Sequence, residues 1–186
     1  MRAIMVASLL FLSPLANATP FFESVIAAMA IPNSASHTNN SWEDADKIKG
    51  VKWQWPYYKS GAHDSTMQGR LKLGKDKNPN IGTTTITING ARSFITDIEI
   101  SIANESAEIK DFGKGKVTAL KTSCDDDSAT YQVAFYEFEK PNYKPLFISQ
   151  VSSWGASGSG TVDFKVAYDL NDLLNLNPIT CQVLKR

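Results

Sequence analysis

The feature that most restricts what this chain can fold into is a hydrophobic period of two that sets in after Gly50 and recurs to the C-terminus. In TVDFKVAYD, Val162, Phe164, Val166 and Tyr168 fall on one side of an extended chain, with Asp163 and Lys165 on the other. In SFITDIEISIAN, Phe94, Ile98, Ile100 and Ile102 are expected on one face and Ile95, Asp97, Glu99 and Ser101 opposite. In VKWQWPYY, Val51, Trp53, Trp55 and Tyr57 share a side, and Pro56 marks an edge strand or a strand end. Such alternation belongs to strands with one face buried and one wet.

The connections decide how those strands pair. GTTTITING is rich in β-branched residues, and its Asn89-Gly90 is a tight-turn signal, so residues 83–102 are expected as a hairpin. A short helical turn, SAEIKDFG, follows, with Ser106 near its cap and Gly113 at its stop. KVTALKTS, ATYQVAFYEFEK and KPLFISQVSSW are then separated by turns at 125–128 and at Pro141-Asn142. Residues 169–176 suggest a short helix before Pro178, and Ile179, Cys181 and Val183 a last strand. Turns too short for crossover helices force antiparallel neighbours. The expected class is therefore α+β: an antiparallel meandering sheet of about eight strands with two or three short, mostly N-terminal helices. A β-sandwich or partly open barrel is the competing architecture.

The N-terminal part reads differently. Residues 1–18, MRAIMVASLLFLSPLANA, carry Arg2, an apolar run from Ile4 to Leu15 and the small-x-small pattern Ala16-Asn17-Ala18, as a cleaved signal peptide does. The run is too short to span a bilayer, and no cysteine stands at the cleavage point to take a lipid. Residues 19–40 then read as a helix, with Phe22, Val25, Ile26 and Met29 on one face and Glu23 favouring its N-terminal dipole, followed by a polar linker, NSASHTNN, that lets it dock loosely. Residues 41–186 read as one α+β domain, opened by a short helix capped by Ser41 with Asp44 three residues on.

Removal of residues 1–18 takes away Arg2 and leaves 18 basic against 19 acidic side chains in 168 residues. That balance, with no basic stripe, excludes a nucleic-acid partner. The expected location is periplasmic or secreted, with neither membrane span nor lipid anchor. In an oxidising compartment the two cysteines, Cys124 and Cys181, are expected to form one disulfide, closing a loop that restrains the unfolded chain by about 4 kcal/mol. Two cysteines without a CxxC or a histidine partner spacing give neither a redox motif nor a zinc site.

Catalytic signals are weak. His37 lies in the polar linker, and His63, Asp64 and Ser65 are neighbours in sequence, which says nothing about a triad converging in space. SSWGASGSG matches neither GxSxG nor a P-loop, and Asp125, Asp126 and Asp127 lack the alternating oxygens of a calcium loop. Asp97 with Glu99, and Glu137 with Glu139, are same-face carboxylate pairs of the kind glycoside hydrolysis uses, though such pairs are common on exposed sheets. No catalytic residue, metal ligand or cofactor is assigned.

Two aromatic-rich stretches are the candidate binding surfaces. Trp53, Trp55, Tyr57 and Tyr58 either fill the core beneath the first helix or form an exposed strip, and Trp154 stands at the base of a loop carrying Ser157 and Ser159. The expected function is that of an extracytoplasmic, soluble, non-enzymatic protein that binds a protein or glycan ligand, such as an inhibitor or immunity factor against a secreted toxin or wall hydrolase. The alternatives are a structural or assembly component of the cell envelope and, less favoured, a hydrolase.

Overall fold

The computed structural model describes residues 18–54, 64–74, 76–91, 93–120, 122–123, 131–155, 158–174 and 182–183. The fold is α+β: one open antiparallel sheet of eight strands with few short helices. In chain order the strands are β1 (Lys52–Trp53), β2 (Asp64–Lys72), β3 (Thr83–Ala91), β4 (Phe94–Ala103), β5 (Lys116–Ala119), β6 (Thr122–Ser123), β7 (Tyr131–Glu139), β8 (Leu146–Trp154), β9 (Gly160–Ala167) and β10 (Gln182–Val183). Spatially the main sheet runs β1-β2-β3-β4-β9-β8-β7-β5, and β6 pairs with β10 in a separate ribbon. The sheet is thus two meanders sewn together where β4 meets β9, and it does not close into a barrel.

One face is covered by helix α1 (Ala18–Met29), whose Phe21, Phe22, Val25, Ile26, Ala28 and Met29 are buried. Because the helix begins at Ala18, Glu23 lies beyond the first turn, and that turn carries no acid. Beneath the helix, Ile86, Ile88, Ile98, Ile100, Val162 and Phe164 project from the three central strands β3, β4 and β9 and are all buried. Phe22 of α1, Phe112 and Phe164 of β9 form a ring cluster, with centroids 4.6, 5.1 and 5.6 Å apart in oblique and edge-on geometries. Phe112 arrives on a 3-10 turn, Ile109–Phe112, whose N-cap is Glu108, not Ser106: the Glu108 amide donates to Asp111 Oδ2 at 2.7 Å. Gly113 ends the turn at φ +98°, as its position in the sequence suggests.

The segment after α1, read from sequence as a loose linker, is tied down at both ends. Asn40 is buried, and its Nδ2 donates to the carbonyls of Ala28 (2.7 Å) and Ala30 (3.2 Å), satisfying helix-end acceptors. Its own carbonyl receives the Ile95 amide, and its amide donates to the Tyr168 hydroxyl at 3.2 Å. Further out, Asn33 N bonds Asn142 O and Lys144 N bonds Ile31 O, so the strap is laced to the β7–β8 turn. A 3-10 helix, Trp42–Lys47, follows with the expected Ser41 cap: the Ser41 amide donates to Asp44 Oδ2 at 3.0 Å.

The 83–102 hairpin is present, but its turn is not at Asn89-Gly90. The strands run on to Ala91 opposite Phe94, and a bulge falls at Asn89/Gly90, where Asn89 opposes Asp97 and Gly90 opposes Ile95, leaving Thr96 as the extra residue. The bulge breaks the alternation, so Ile95 is buried while Phe94 is 48% exposed, the reverse of the sequence expectation. Gly90 is needed for a different reason. A Cβ there would sit 2.8 Å from Trp42 Cε2, so the indole of Trp42 lies on the bare backbone. Trp53 covers Gly69 and Trp154 covers Gly160 in the same manner.

Candidate functional site

The strand alternation that builds the helix-covered face leaves a second face whose side chains come from the intervening positions. On β3 these are Thr85, Thr87 and Asn89, on β4 Asp97, Glu99 and Ser101, and on β9 Asp163 and Lys165. On β8 they are Phe147, Ser149 and Val151, and on β7 Val133, Phe135 and Glu137. Register aligns them in rows: Thr85, Ser101, Asp163 and Val151 stand in line, and beside them Thr87, Glu99, Lys165 and Ser149. The face is therefore polar over β3, β4 and β9 and more apolar over β8 and β7, where Ser149 and Glu137 are the polar exceptions.

Helix α2 (Leu170–Leu174) folds back across the apolar half, burying Leu173 against Phe135 and Ala167. The space left between α2 and the polar rows is a groove of about 330 Å³, with Thr85, Thr87, Glu99, Asp163 and Lys165 on its polar side and Ser149, Val151 and Leu173 on the other. That volume is at the lower end of the range of small-molecule clefts.

At the centre is Lys165. Its ammonium lies 3.0 Å from Asp97 Oδ1 and 3.4 Å from Glu99 Oε1, and the Lys165 and Asp97 side chains are only 12% and 10% exposed. Asp97 is held further by Asn89 Nδ2 (2.8 Å) and Thr96 Oγ1 (3.0 Å). Asp163 accepts from Thr161 Oγ1 at 3.2 Å. On α2, burial pushes the Asp172 carboxyl above its ordinary value, and the charges of Asp169 and Asp97 add to the shift while Lys165 opposes it. The network is a charged spine in which one cation, Lys165, serves Glu99 in the groove lining and Asp97 outside it.

Three of the four carboxylates in the acid pairs noted in the sequence have ion-pair partners. Asp97 and Glu99 share Lys165, and Glu139 pairs with Lys116 at 2.9 Å across the β5–β7 edge. His37 is exposed in the strap, where its carbonyl accepts from Lys144 Nζ at 2.8 Å. His63 and Asp125, Asp126 and Asp127 lie outside the described residues.

Of the binding residues expected from sequence, Trp53 and Trp154 are half-buried and pack against the core beneath α1, on the face opposite the groove. Ser159 is exposed in the β8–β9 turn, where its carbonyl accepts the Gly155 amide at 2.8 Å. Trp55, Tyr57, Tyr58, Ser157, Cys124 and Cys181 lie outside the described residues. The cysteines' sequence neighbours Ser123 and Gln182 are, however, register partners in the β6–β10 ribbon. The groove residues Lys165, Ser149 and Asp163 were not singled out as a site from sequence. Their only signal was position on the polar side of an alternating strand, which every half-buried strand provides.

Among the described residues no helix is long and apolar enough to cross a membrane. Compared with protein-family models, with curated proteins and with solved structures, the chain matches none.

Proposed function

We propose that this chain is an extracytoplasmic, non-enzymatic binding protein whose ligand, a protein or a glycan, sits in the groove on the open face of the sheet. The observation that carries this reading is the groove itself, where the nearly buried, ion-paired Lys165 faces a cleft instead of being sealed under α2. A buried ion pair contributes little net stability, so its presence beside an open cleft suits recognition better than scaffolding. The leader-like residues 1–18 support export. The non-enzymatic part rests on the ion pairing of Asp97, Glu99 and Glu139 within the two candidate acid pairs.

Self-assembly through a strand edge is less well supported. The edge strand β5 exposes Val117, but it is four residues long and carries the Lys116–Glu139 ion pair, both features that blunt edge pairing.

The test is capture from the native envelope fraction with the wild type and with Ser101→Trp, which fills the groove mouth from an exposed position. A ligand retained by the wild type and lost by the variant supports the reading. Equal retention by both, or none by either, overturns it.

A further inference from the structure

We infer that the groove takes a neutral or amino-bearing saccharide of one or two rings. This rests on the groove being the ligand site, and its first observation is Ser149. That residue is 8% exposed, lines the groove, and its hydroxyl has no hydrogen-bond partner among the described residues. No side-chain polar atom among the described residues is both enclosed and unpartnered, so the Ser149 oxygen opens into the groove. A hydroxyl so placed bonds to water in the free protein, and a ligand hydroxyl that replaces this water can take over the bond.

The groove's other free polar groups indicate what supplies it. Thr85, Thr87 and Ser101 offer hydroxyls that bond to no described residue, and hydroxyls both donate and accept. Glu99 and Asp163 offer acceptors, and the Lys165 ammonium keeps a third donor beyond the two spent on Asp97 and Glu99. Alternating donors and acceptors match the vicinal hydroxyls of a sugar ring, while Val151 and Leu173 give its C–H face an apolar wall.

Charge narrows the class. In the groove lining Glu99 and Asp163 outnumber Lys165, so a phosphate or a uronate is repelled and a neutral or amino sugar is accepted. Topology disfavours a peptide: β3, β4, β9 and β8 are each paired on both sides, so the groove floor has no free backbone to which an extended chain could add as a strand.

The experiment is amide shift mapping on the full mature protein at millimolar cellobiose, N,N′-diacetylchitobiose, chitosan disaccharide, digalacturonate and an uncharged alanine–serine peptide in turn. A neutral or amino disaccharide is expected to move the amides of Ser149, Val151 and Lys165, with digalacturonate and the uncharged peptide inert. Ser149→Ala, which keeps the fold because it deletes one unpartnered oxygen, is expected to weaken the binding about fivefold, the effect of one hydrogen bond, and Thr87→Val to weaken it similarly. The inference is overturned if no disaccharide moves these amides, if the uronate or the peptide moves them instead, or if both variants bind as the wild type does. Failure here with ligand capture still lost in Ser101→Trp would mean a groove-bound protein ligand; failure of both would remove the groove as a site.

Discussion

Replacing Lys165 with methionine tests the charged spine directly. At 3.0 Å from Asp97, with both side chains nearly buried, the attraction is about 5–6 kcal/mol at an effective dielectric of ~20. Drawing both ions out of water costs several kcal/mol each, so the intact pair is expected to contribute close to nothing net. Removing the lysine alone is another matter, because the Asp97 carboxylate stays buried with, among the described residues, the Asn89 amide and the Thr96 hydroxyl as its remaining side-chain donors. Those two bonds place the loss at about 3 kcal/mol, the low end for an orphaned buried charge. In Lys165→Met/Asp97→Asn the orphan is gone, and the double variant is expected within about 1 kcal/mol of the wild type. Urea unfolding at neutral pH reads both, as a shift in midpoint at constant slope. The reasoning is refuted if the single variant loses under about 1 kcal/mol, or if the double variant loses the sum of the two single substitutions.

Other outcomes follow from single contacts. Gly90→Ala drives a methyl into Trp42 and the Phe94 carbonyl, so it is expected to cost about 1–3 kcal/mol and to red-shift the tryptophan emission if the indole is displaced. Asn40→Ala strips two acceptors at the end of α1 of their donor and should lower stability by about 2 kcal/mol in the same urea assay, with faster amide exchange at the helix end. Asp172 has a folded-state pKa raised above its unfolded value, so the folded chain binds more protons between the two, and this site adds stability as pH falls through that window. Asp172→Asn should therefore stabilise modestly at neutral pH, and the advantage should vanish below pH ~4, which melting curves across the acid range would show. Intact mass before and after alkylation should find Cys124 and Cys181 joined; two alkylated thiols without prior reduction would exclude the bridge.

The sheet was legible because alternation follows from burial on one face. Val162, Phe164 and Val166 face α1 as their spacing requires, and Phe22, Val25, Ile26 and Met29 form the helix stripe. The β4 pattern failed at Phe94 and Ile95 because a bulge adds one residue without any signature of its own. Asn89-Gly90 carried turn chemistry, but the tertiary need was a glycine under Trp42 and an amide beside Asp97. Asn40 looked like linker composition, since only the fold shows that its side chain meets the end of α1. The groove was hidden for the same reason. Glu99 and Lys165 are 66 positions apart and meet only because β4 pairs with β9 across an insertion of four strands, a register that no local pattern encodes. Ser149 is one serine among several in FISQVSSW, and its burial comes from what α2 and the neighbouring strands place around it.

The claim that the open sheet face is the ligand site is tested most directly by a photoreactive phenylalanine analogue placed at Ser101, in the groove mouth, and at Lys47, an exposed position on the helical side of the protein. Irradiation in the native compartment is expected to give an adduct of one defined mass at position 101 and none at position 47. An adduct at 47 alone, or the same adducts at both positions, would contradict it.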